Sequence, residues 1–573
     1  MLKLYLTLPE QTGFIENKKP RGVKKVLNIF KNIILPLTSI FAAQWINIQI
    51  DVTQNQRYSL NSETKKALEL LDKTLKVDIF LSGKLPTDYL RLKREIQAFI
   101  KSMETHTDKL LINYIDPFEG SSSSIKVISE MNQYGLIPEY ILSKKNQEVE
   151  QTVVFPWAII NDGGKTLRIP LLSKNLGDNQ QEKINRAIAQ IEFKFFDAIF
   201  KINQVEKKKL AVLTSHDTSE KNKISSFIKS LKPYYQLASF DLKALEKNPI
   251  KTLENLKRFE LLMISNPKTP FTEQEKYLLD QHLIDGGKQL WMINSTSVNR
   301  DSLFNSEGSA IATVNNLNMA NLFFKYGFRL EKNLVKDLFC APIVLASGKQ
   351  NKAQYIPIPW PYYPIAQPSD HIIGNGISNL WFRFPSSIDT LKSKTKKTVL
   401  VRSSELCKSL KVPTEISLKE VSEKIVSSSF NDSNKMMGIL VTGYFSSAYE
   451  NRLKPFKHKN HISKGNSKMI IFSEGTLAEN QLDKGNPLEL GYDKWTNNYY
   501  GNKDFLKNCI HYLMNDNSLL NMRNKDVSLG MLDMKIVGQK SNEWRIALLL
   551  FPLIILFVIG FIVLRLRISK HSR

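Results

Sequence analysis

Cysteine is scarce in this chain of 573 residues, which contains only three. Cys340, Cys407 and Cys509 are far apart in the sequence, and no two of them form a Cys-x-x-Cys pair. An odd number of distant cysteines indicates neither a disulfide framework nor a zinc ribbon. Because 42% of the residues are apolar, as in ordinary globular proteins, we expect a folded body held together by apolar cores.

Signatures of catalysis are also missing from the sequence. It has no Gly-x-Ser-x-Gly or Gly-x-Cys-x-Gly turn to carry a nucleophile, no His-Glu-x-x-His zinc motif and no EF-hand. The Gly-Gly-Lys-Thr sequence at 163–166 resembles the end of a phosphate loop, but Ile159 stands where that loop needs its first glycine. A hairpin turn is therefore favoured. His458 and His461 form His-x-x-His among lysines that would repel a cation. We predict that the chain is not an enzyme and carries no metal and no other cofactor.

Acidic residues are the third deficit. The chain has 80 Lys and Arg against 55 Asp and Glu, which gives a formal net charge of +25. A basic run at 452–468 contains no carboxylate. Charge alone does not specify nucleic acid, and the sequence contains no recognisable nucleic-acid module. Anionic lipid headgroups or an acidic partner account for the charge equally well, so we predict no nucleic-acid partner.

Near its C-terminus the chain has a long apolar run. Residues 546–564 carry no charged or polar side chain and lie between Arg545 and Arg565. As a helix this run would be ~28 Å long, close to the ~30 Å hydrocarbon core of a bilayer. A buried helix of a soluble protein usually keeps a polar stripe, and this run has none. We predict a transmembrane helix at 546–564, with the basic tail 565–573 in the cytoplasm by the positive-inside rule.

A second uncharged run, residues 32–50, follows a basic segment at 1–31. Its hydropathy is weaker because it contains Pro36 and several amides. A basic segment followed by an apolar one also fits a signal peptide, but no convincing small-residue cleavage site follows. We favour an uncleaved transmembrane anchor. The chain would then be a two-pass protein of the inner membrane, with both ends in the cytoplasm and most of the chain in the periplasm.

The region between the two runs has the alternation of a multidomain α/β fold. From residue 207, strand-like and helical runs alternate as in a doubly wound parallel sheet of the flavodoxin or amidotransferase type. Thr272 and Glu275 form a capping box at the start of one of these helices. The predicted divisions are an α/β domain at 51–120, a β-rich linker domain at 121–206, a doubly wound domain with an insertion at 207–400, and a membrane-proximal α/β portion at 401–543.

Polar residues follow the strands of the predicted doubly wound sheet. His216 and Asp217 come after its first strand and Asn266 after a later one. Because ligands bind such sheets beyond the carboxyl ends of the strands, we predict a ligand-binding crevice at His216, Asp217 and Asn266. Since no nucleophile turn accompanies them, a hydrogen-bonded structural role is favoured over a catalytic role for His216.

Several segments of the chain are familiar in combination. They include "RYSLNSETKKALELL", "LSGKLPTDYLRLKREI", "ISNPKTPFTEQEKYLLDQHLIDGGKQLWMIN", "PYYPIAQPSDHIIGNGISNLWFRFPSSID" and "GYFSSAYENRL". Their number and order resemble the GldG family, the auxiliary component of the gliding-motility ABC transporter. The chain departs from the family pattern at 214–218, where Thr-Ser-His-Asp-Thr replaces Thr-Gly-His-Gly-Glu, and at 474–476, where Glu-Gly-Thr replaces Asp-Gly-Asp.

The resemblance implies a non-ATPase membrane component of an ABC transporter, in the gliding motility and associated secretion of Bacteroidetes. Its implied partners are a permease and a separate ATP-binding subunit. Two classes of function remain open. The body is either a docking and coupling module that passes motion of the permease to a periplasmic or envelope partner, or a substrate-binding component or degenerate hydrolase that uses the crevice. The missing nucleophile, metal cluster and phosphate loop favour the first.

Overall fold

The computed structural model describes residues 59–120, 123–145, 148–172, 179–305, 307–347, 354–458, 460–523 and 541–571. The predicted basic segment 1–31 and the predicted membrane helix 32–50 lie outside these residues. The described part is a mixed α/β structure with several sheets, which confirms the predicted fold class at that level.

The N-terminal part of the body begins with a helix and two parallel strands. Its elements, in chain order, are α1 (Ser62–Glu69), β1 (Leu75–Ile79), α2 (Thr87–Glu104), β2 (Leu110–Tyr114), α3 (Ser124–Gln133), β3 (Glu139–Lys145), β4 (Glu148–Val154), β5 (Trp157–Asn161), β6 (Thr166–Pro170), α4 (Gln180–Ala189) and α5 (Ile191–Asn203).

Four of these strands form the first sheet, in the order β2, β1, β5 and β6. β1 and β2 run parallel and are connected through α2, whose buried Leu92 belongs to the same apolar cluster as Val77 of β1. β5 and β6 are antiparallel, so the sheet takes strands from both sides of residue 120, the expected limit of the first domain. Gly163 and Gly164 lie in the turn between β5 and β6, which confirms the hairpin.

Beyond residue 207 strands and helices alternate as the sequence predicts. The elements are β7 (Lys209–Leu213), α6 (Lys221–Leu231), β8 (Gln236–Phe240), α7 (Pro249–Lys257), β9 (Leu261–Ser265), α8 (Glu273–Ile284) and β10 (Lys288–Met292). An insertion follows, with β11 (Thr296–Val298), β12 (Ser309–Val314), α9 (Ala320–Tyr326), β13 (Phe328–Leu330), β14 (Asn333–Asp337), β15 (Cys340–Ser347), β16 (Gln354–Ala366), β17 (Leu380–Trp381), β18 (Ile388–Thr390), β19 (Lys396–Arg402), β20 (Cys407–Lys411) and β21 (Thr414–Ser417).

The last part of the body returns to the sheet that β7 begins. Its elements are β22 (Met436–Ser446), β23 (Lys464–Phe472), β24 (Leu482–Asp483), β25 (Asn486–Pro487), β26 (Tyr492–Asp493), β27 (Asn498–Tyr499), α10 (Asn502–Leu513) and α11 (Asn517–Arg523).

The second sheet has a parallel part in the order β8, β7, β9, β10 and β23. β22 pairs antiparallel with β23, and β18, β13 and β19 complete that side. Helices cover both faces, because α6 and α10 share one apolar cluster with the sheet and α7 and α8 share another. β9 is buried at every residue, as expected of a parallel strand covered on both faces. The sheet draws β22 and β23 from beyond residue 400, the expected limit of the doubly wound domain.

The insertion has an apolar cluster of its own. That cluster includes Leu334, Trp360, Tyr362 and Ile416 from its small antiparallel sheets. The cluster that contains α6 and α10, by contrast, also includes the core of the first sheet. The first and second sheets therefore share a core, to which some residues of the insertion also belong, and the small sheets of the insertion contribute to a separate one.

The last helix of the body contacts the first. The hydroxyl of Thr64 in α1 lies 3.5 Å from the sulfur of Met522 in α11 and donates a hydrogen bond of 2.9 Å to Glu192 of α5. The two ends of the segment 60–523 are therefore neighbours in the fold.

The junction between α10 and α11 lies at the amino ends of the parallel strands. Lys208, directly before β7, donates to Asp516 at 2.7 Å and also to the carbonyl of Met514. Lys468, level with the first residue of β10, donates to Asn515 at 2.7 Å. The carboxyl ends of the parallel strands therefore lie at the opposite end of the sheet from this junction.

The C-terminal apolar run forms α12 (Ser541–His571). Its part Ser541–Arg565 is long and apolar enough to cross a membrane: an 18-residue window within it has a mean hydropathy of 3.2, and none of that window is buried in the protein. In the described residues this is the one helix with those properties. The finding supports the predicted C-terminal membrane helix.

Candidate site at the carboxyl end of the second sheet

His216 sits on a sharply turned backbone directly after β7. His216 and Asp217 adopt positive φ angles of 67° and 48°, a conformation that is uncommon for residues other than glycine. The imidazole is 6% exposed and stacks on the ring of Phe271, with 4.0 Å between ring centroids. Its Nδ1 lies 3.0 Å from the hydroxyl of Ser215, and its Nε2 lies 3.2 Å from Oε2 of Glu275. Both ring nitrogens therefore have partners within the protein.

Glu275 couples His216 to the start of α8. It accepts hydrogen bonds of 2.8 Å from both the amide and the hydroxyl of Thr272, which confirms the predicted capping box. Burial raises the pKa of Glu275, but hydrogen bonds from His216 and Thr272 outweigh that effect and hold the pKa below its ordinary value. The ionised carboxylate thus fixes both the helix terminus and the imidazole.

Asp217 and Asn266 do not join His216 in one constellation of side chains. Asp217 is exposed, and its carboxylate has no partner among the described residues. Asn266, at φ 53°, donates to Oε1 of Glu479 at 3.1 Å and accepts from the amide of Asn294 at 3.1 Å. The Asn266 side chain thus points to other partners, while the loop that follows it bonds to the backbone of His216 through the amide of Lys268 at 2.8 Å.

A second group of polar side chains surrounds Asn266. We call Ser219, Ser265, Asn266, Asn294 and Glu479 the asparagine cluster. The Ser219 hydroxyl donates to Glu479 Oε1 at 2.7 Å and lies 3.0 Å from the Ser265 hydroxyl. The cluster gathers residues that follow β7, β9, β10 and β23. Sequence analysis identified Asn266 as a strand-end residue, but Ser219 and Glu479 are 260 positions apart and no local pattern connects them.

The short 3-10 turn Gly475–Ala478 closes over this cluster. The amide of Gly475 donates to Oδ1 of Asn294 at 2.8 Å. A Cβ atom at Gly475 would lie 2.6 Å from Oδ1 and 2.9 Å from Cα of Asn266. Glycine is therefore required here by close approach, and this is the glycine of the Glu-Gly-Thr segment noted in the sequence.

Beside the turn lies a buried pair of opposite charges. Glu474 is fully buried, and burial raises its pKa to about 7, although Arg383 lies 3.9 Å away and the hydroxyl of Thr476 donates to it. Oε2 of Glu474 has no partner among the described residues. The Arg383 guanidinium donates to the carbonyl of Thr476 at 3.0 Å and lies over the ring of Trp381, 5.0 Å from its centroid.

The cavity at this end of the sheet is small. It has a volume of about 10 Å³ and is lined by residues that include Trp381, Arg383, Glu479, Gln481 and Asn502. That volume holds roughly one water molecule. A larger ligand would fit this cavity only if the surrounding loops moved apart.

In the described part of the chain, no cluster of three or more His, Cys, Asp or Glu side chains is placed to hold a metal ion. In the His-x-x-His segment, Nδ1 of His461 lies 3.1 Å from the hydroxyl of Tyr277. Burial, together with the positive charge of Lys454 and His458, lowers the pKa of His461.

Two regions of the chain match known protein-family models. A family model described as an ABC-type uncharacterized transport system matches residues 207–509, a little over half of the chain, and a domain of unknown function (DUF7088) matches residues 54–161. No curated protein matches the chain significantly. A solved structure titled "mmIFT52 N-terminal domain" is 12% identical, with 54% of this chain and 97% of that chain covered and a TM-score of 0.31.

Proposed function

Because the chain belongs to the family of auxiliary components of ABC-type transport systems, we propose that it is a non-ATPase docking and coupling module of such a system. The module works beside a permease and a separate ATP-binding subunit, and it passes motion of the permease to a periplasmic or envelope partner. The resemblance of its segments to the GldG family supports gliding motility and the associated secretion as the process served.

The observation that carries this proposal is the contact between α1 and α11. Thr64 and Met522 are neighbours, so the chain enters and leaves the body at the same place. In this proposal a helix at 32–50 and the apolar part of α12 both anchor the protein in one membrane, with both chain ends cytoplasmic and the body periplasmic. Two anchors at one base suit a permanent member of a complex better than a protein that leaves with its ligand.

The fold supports a further part of the proposal. The parallel order β8, β7, β9, β10, β23 is that of flavodoxin-like doubly wound sheets, in which the second strand in the chain lies at the edge. We assign the second sheet to that type. The domain limits near residues 120 and 206, which lie outside helices and strands, are proposed as sites of early proteolysis. Leu400 is buried within β19 and should resist cleavage. None of the three limits is proposed as a border of separate cores, because the apolar clusters cross them.

Two observations at the carboxyl end of the sheet support a second candidate function, that of a substrate-binding component. His216, Asp217 and Asn266 all have positive φ angles, and such conformations gather at functional sites. Glu474 buries a carboxylate oxygen that has no partner in the described residues. A substrate-binding component would use this crevice after its loops move apart.

Purification in a mild detergent distinguishes the two candidate functions by what is isolated together with the protein. The coupling module should be isolated with a permease and an ATP-binding subunit in a constant ratio. Isolation as a lone protein with a bound small molecule would favour the second function, provided that the molecule is lost in Asp217→Asn, which keeps a residue type that tolerates the φ of 48°. That variant changes an exposed side chain and leaves the packed His216 in place, so loss of the molecule would not reflect misfolding.

A further inference from the structure

β8 forms one edge of the second sheet and is hydrogen-bonded to β7 alone. The amide of Gln236 and the carbonyl of Phe240 point toward β7. Because alternate residues of a strand direct their backbone groups to opposite sides, Leu237 and Ser239 direct theirs outward. In the described residues these outward groups have no hydrogen-bond partner.

The edge of β8 also lacks the features that usually protect such strands. Proteins block exposed edges with charged side chains, proline, bulges or a covering element. β8 reads Gln-Leu-Ala-Ser-Phe, with neither charge nor proline, and the side chains of Gln236 and Ser239 are exposed. An unprotected edge of this kind is a template for another strand.

A groove of about 390 Å³ runs along the same strand on the side of α7. Gln236, Ala238 and Phe240, which share one face of β8, line it together with Asn255 and Phe259. Phe240 and Phe259 meet edge to face, with 6.1 Å between ring centroids. A strand added to β8 would place alternate side chains in this groove.

The charged side chains that line the groove indicate which kind of strand would bind there. Lys209 and Arg258 also line the groove, both are exposed, and neither forms an ion pair in the described part of the chain. The neighbouring carboxylate of Glu260 is exposed and pairs with neither of them. Two unpaired cations beside an aromatic pair favour an occupant that offers carboxylates at alternate positions.

We propose that the β8 edge and this groove form a docking site for an extended acidic segment of a partner protein. The segment adds to the sheet as a strand, with main-chain hydrogen bonds to Leu237 and Ser239 and with carboxylates facing Lys209 and Arg258. The inference rests on this surface alone, so it stands or falls independently of the permease and of the crevice.

A model peptide tests the charge requirement on the full chain in detergent. The probe is a fluorescein-labelled Val-Glu-Val-Glu-Val-Glu-Val amide, and its control has Lys in place of Glu. The acidic peptide should bind at least tenfold more tightly, and Lys209→Glu or Arg258→Glu should weaken it by about tenfold, or ~1.4 kcal/mol. Lys251→Glu makes the same charge change on α7 outside the groove and should leave binding unchanged.

Proline tests the strand addition itself. Ser239→Pro removes one outward amide without touching the bonds to β7, whereas Ser239→Ala keeps that amide. The acidic peptide should bind Ser239→Ala normally and Ser239→Pro weakly, and on binding it should slow hydrogen exchange at the amides of Leu237 and Ser239. Equal binding of both peptides, equal binding by the two Ser239 variants, or unchanged binding by Arg258→Glu would each overturn the proposal.

Discussion

The hydroxyl of Thr64 and the sulfur of Met522, 458 positions apart in the chain, lie 3.5 Å from each other. This contact closes the body on itself, because one residue belongs to its first helix and the other to its last. The first and last helices of the segment 60–523 consequently form one base of the body. The opposite end of the second sheet carries the asparagine cluster and the buried pair of Glu474 and Arg383.

Thr64→Val tests how much this base contributes to stability. The change keeps the shape of the side chain but removes the hydrogen bond to Glu192, so a buried carboxylate loses a donor. We expect the free energy of unfolding to fall by ~1–3 kcal/mol. Thermal unfolding of the full chain in detergent measures the effect, with the exposed Thr313→Val as control. Equal melting temperatures for the two variants would contradict the role given to this contact.

Asp280 of α8, which packs on the second sheet, is expected to be more sensitive to substitution than the exposed Asp285 that follows the same helix. It is fully buried and accepts hydrogen bonds from Ser447 at 2.6 Å, from the amide of Ala448 at 2.8 Å and from Tyr326 at 3.0 Å. Asp280→Ala leaves all these donors unpaired and should cost ~3 kcal/mol or more. Asp285→Ala, which breaks an exposed ion pair with Lys257, should cost ~1 kcal/mol or less. The two melting temperatures should differ accordingly, and a larger loss in Asp285→Ala would contradict this account.

Stability should depend on the protonation of Glu474. Burial raises its pKa from 4.5 to about 7, so between these pH values the folded protein keeps a proton that the unfolded chain has released. Stability is therefore lost as the pH rises through this window. Glu474→Gln does not titrate. The melting temperature of the unmodified chain should therefore fall relative to that of Glu474→Gln as the pH rises from 5 to 8, roughly the range set by this shift. Glu69→Gln, which changes an exposed carboxylate, should show the same dependence of melting temperature on pH as the unmodified chain. A difference in melting temperature between Glu474→Gln and the unmodified chain that stays constant with pH would refute the assigned pKa.

Gly475→Ala should disturb the asparagine cluster. The added Cβ would come within 2.6 Å of Oδ1 of Asn266. Overpacking of this kind costs ~1–3 kcal/mol. Gly164→Ala is the matched control, since its Cβ would meet Oδ1 of Asp162 at 3.6 Å, an ordinary contact. Comparable melting temperatures for both variants would show that the turn over the cluster can shift freely.

The periodicity of apolar residues in the sequence predicts individual helices and strands of this protein, but it does not predict which of them pair with one another. The capping box of Thr272 and Glu275 and the apolar run of α12 are local patterns, and both were found. The pairing of β10 with β23 spans a long insertion, so the sequence placed them in different domains. For Asn266 the position after a strand could be predicted from the sequence, but the direction of its side chain could not, because its partner Glu479 lies 213 positions later in the chain.

Membrane topology is testable with reporter fusions. If residues 32–50 and the apolar part of α12 both span the membrane, a fusion at Asp51 and a fusion after Arg573 should report opposite sides. The basic segments at the two chain ends are the physical reason, since Lys and Arg are retained in the cytoplasm. Reports from the same side for both fusions would contradict the two-pass arrangement.

Hydrogen exchange in the purified complex tests most directly whether motion is coupled from the permease to the body. The complex would be compared without nucleotide and after trapping with ATP and vanadate. If the base formed by α1 and α11 receives motion from the permease, amide exchange in Ser62–Glu69 and Asn517–Arg523 should change between the two states. Identical exchange throughout the body in both states, with the trapped ATP-binding subunit itself protected, would contradict the coupling function.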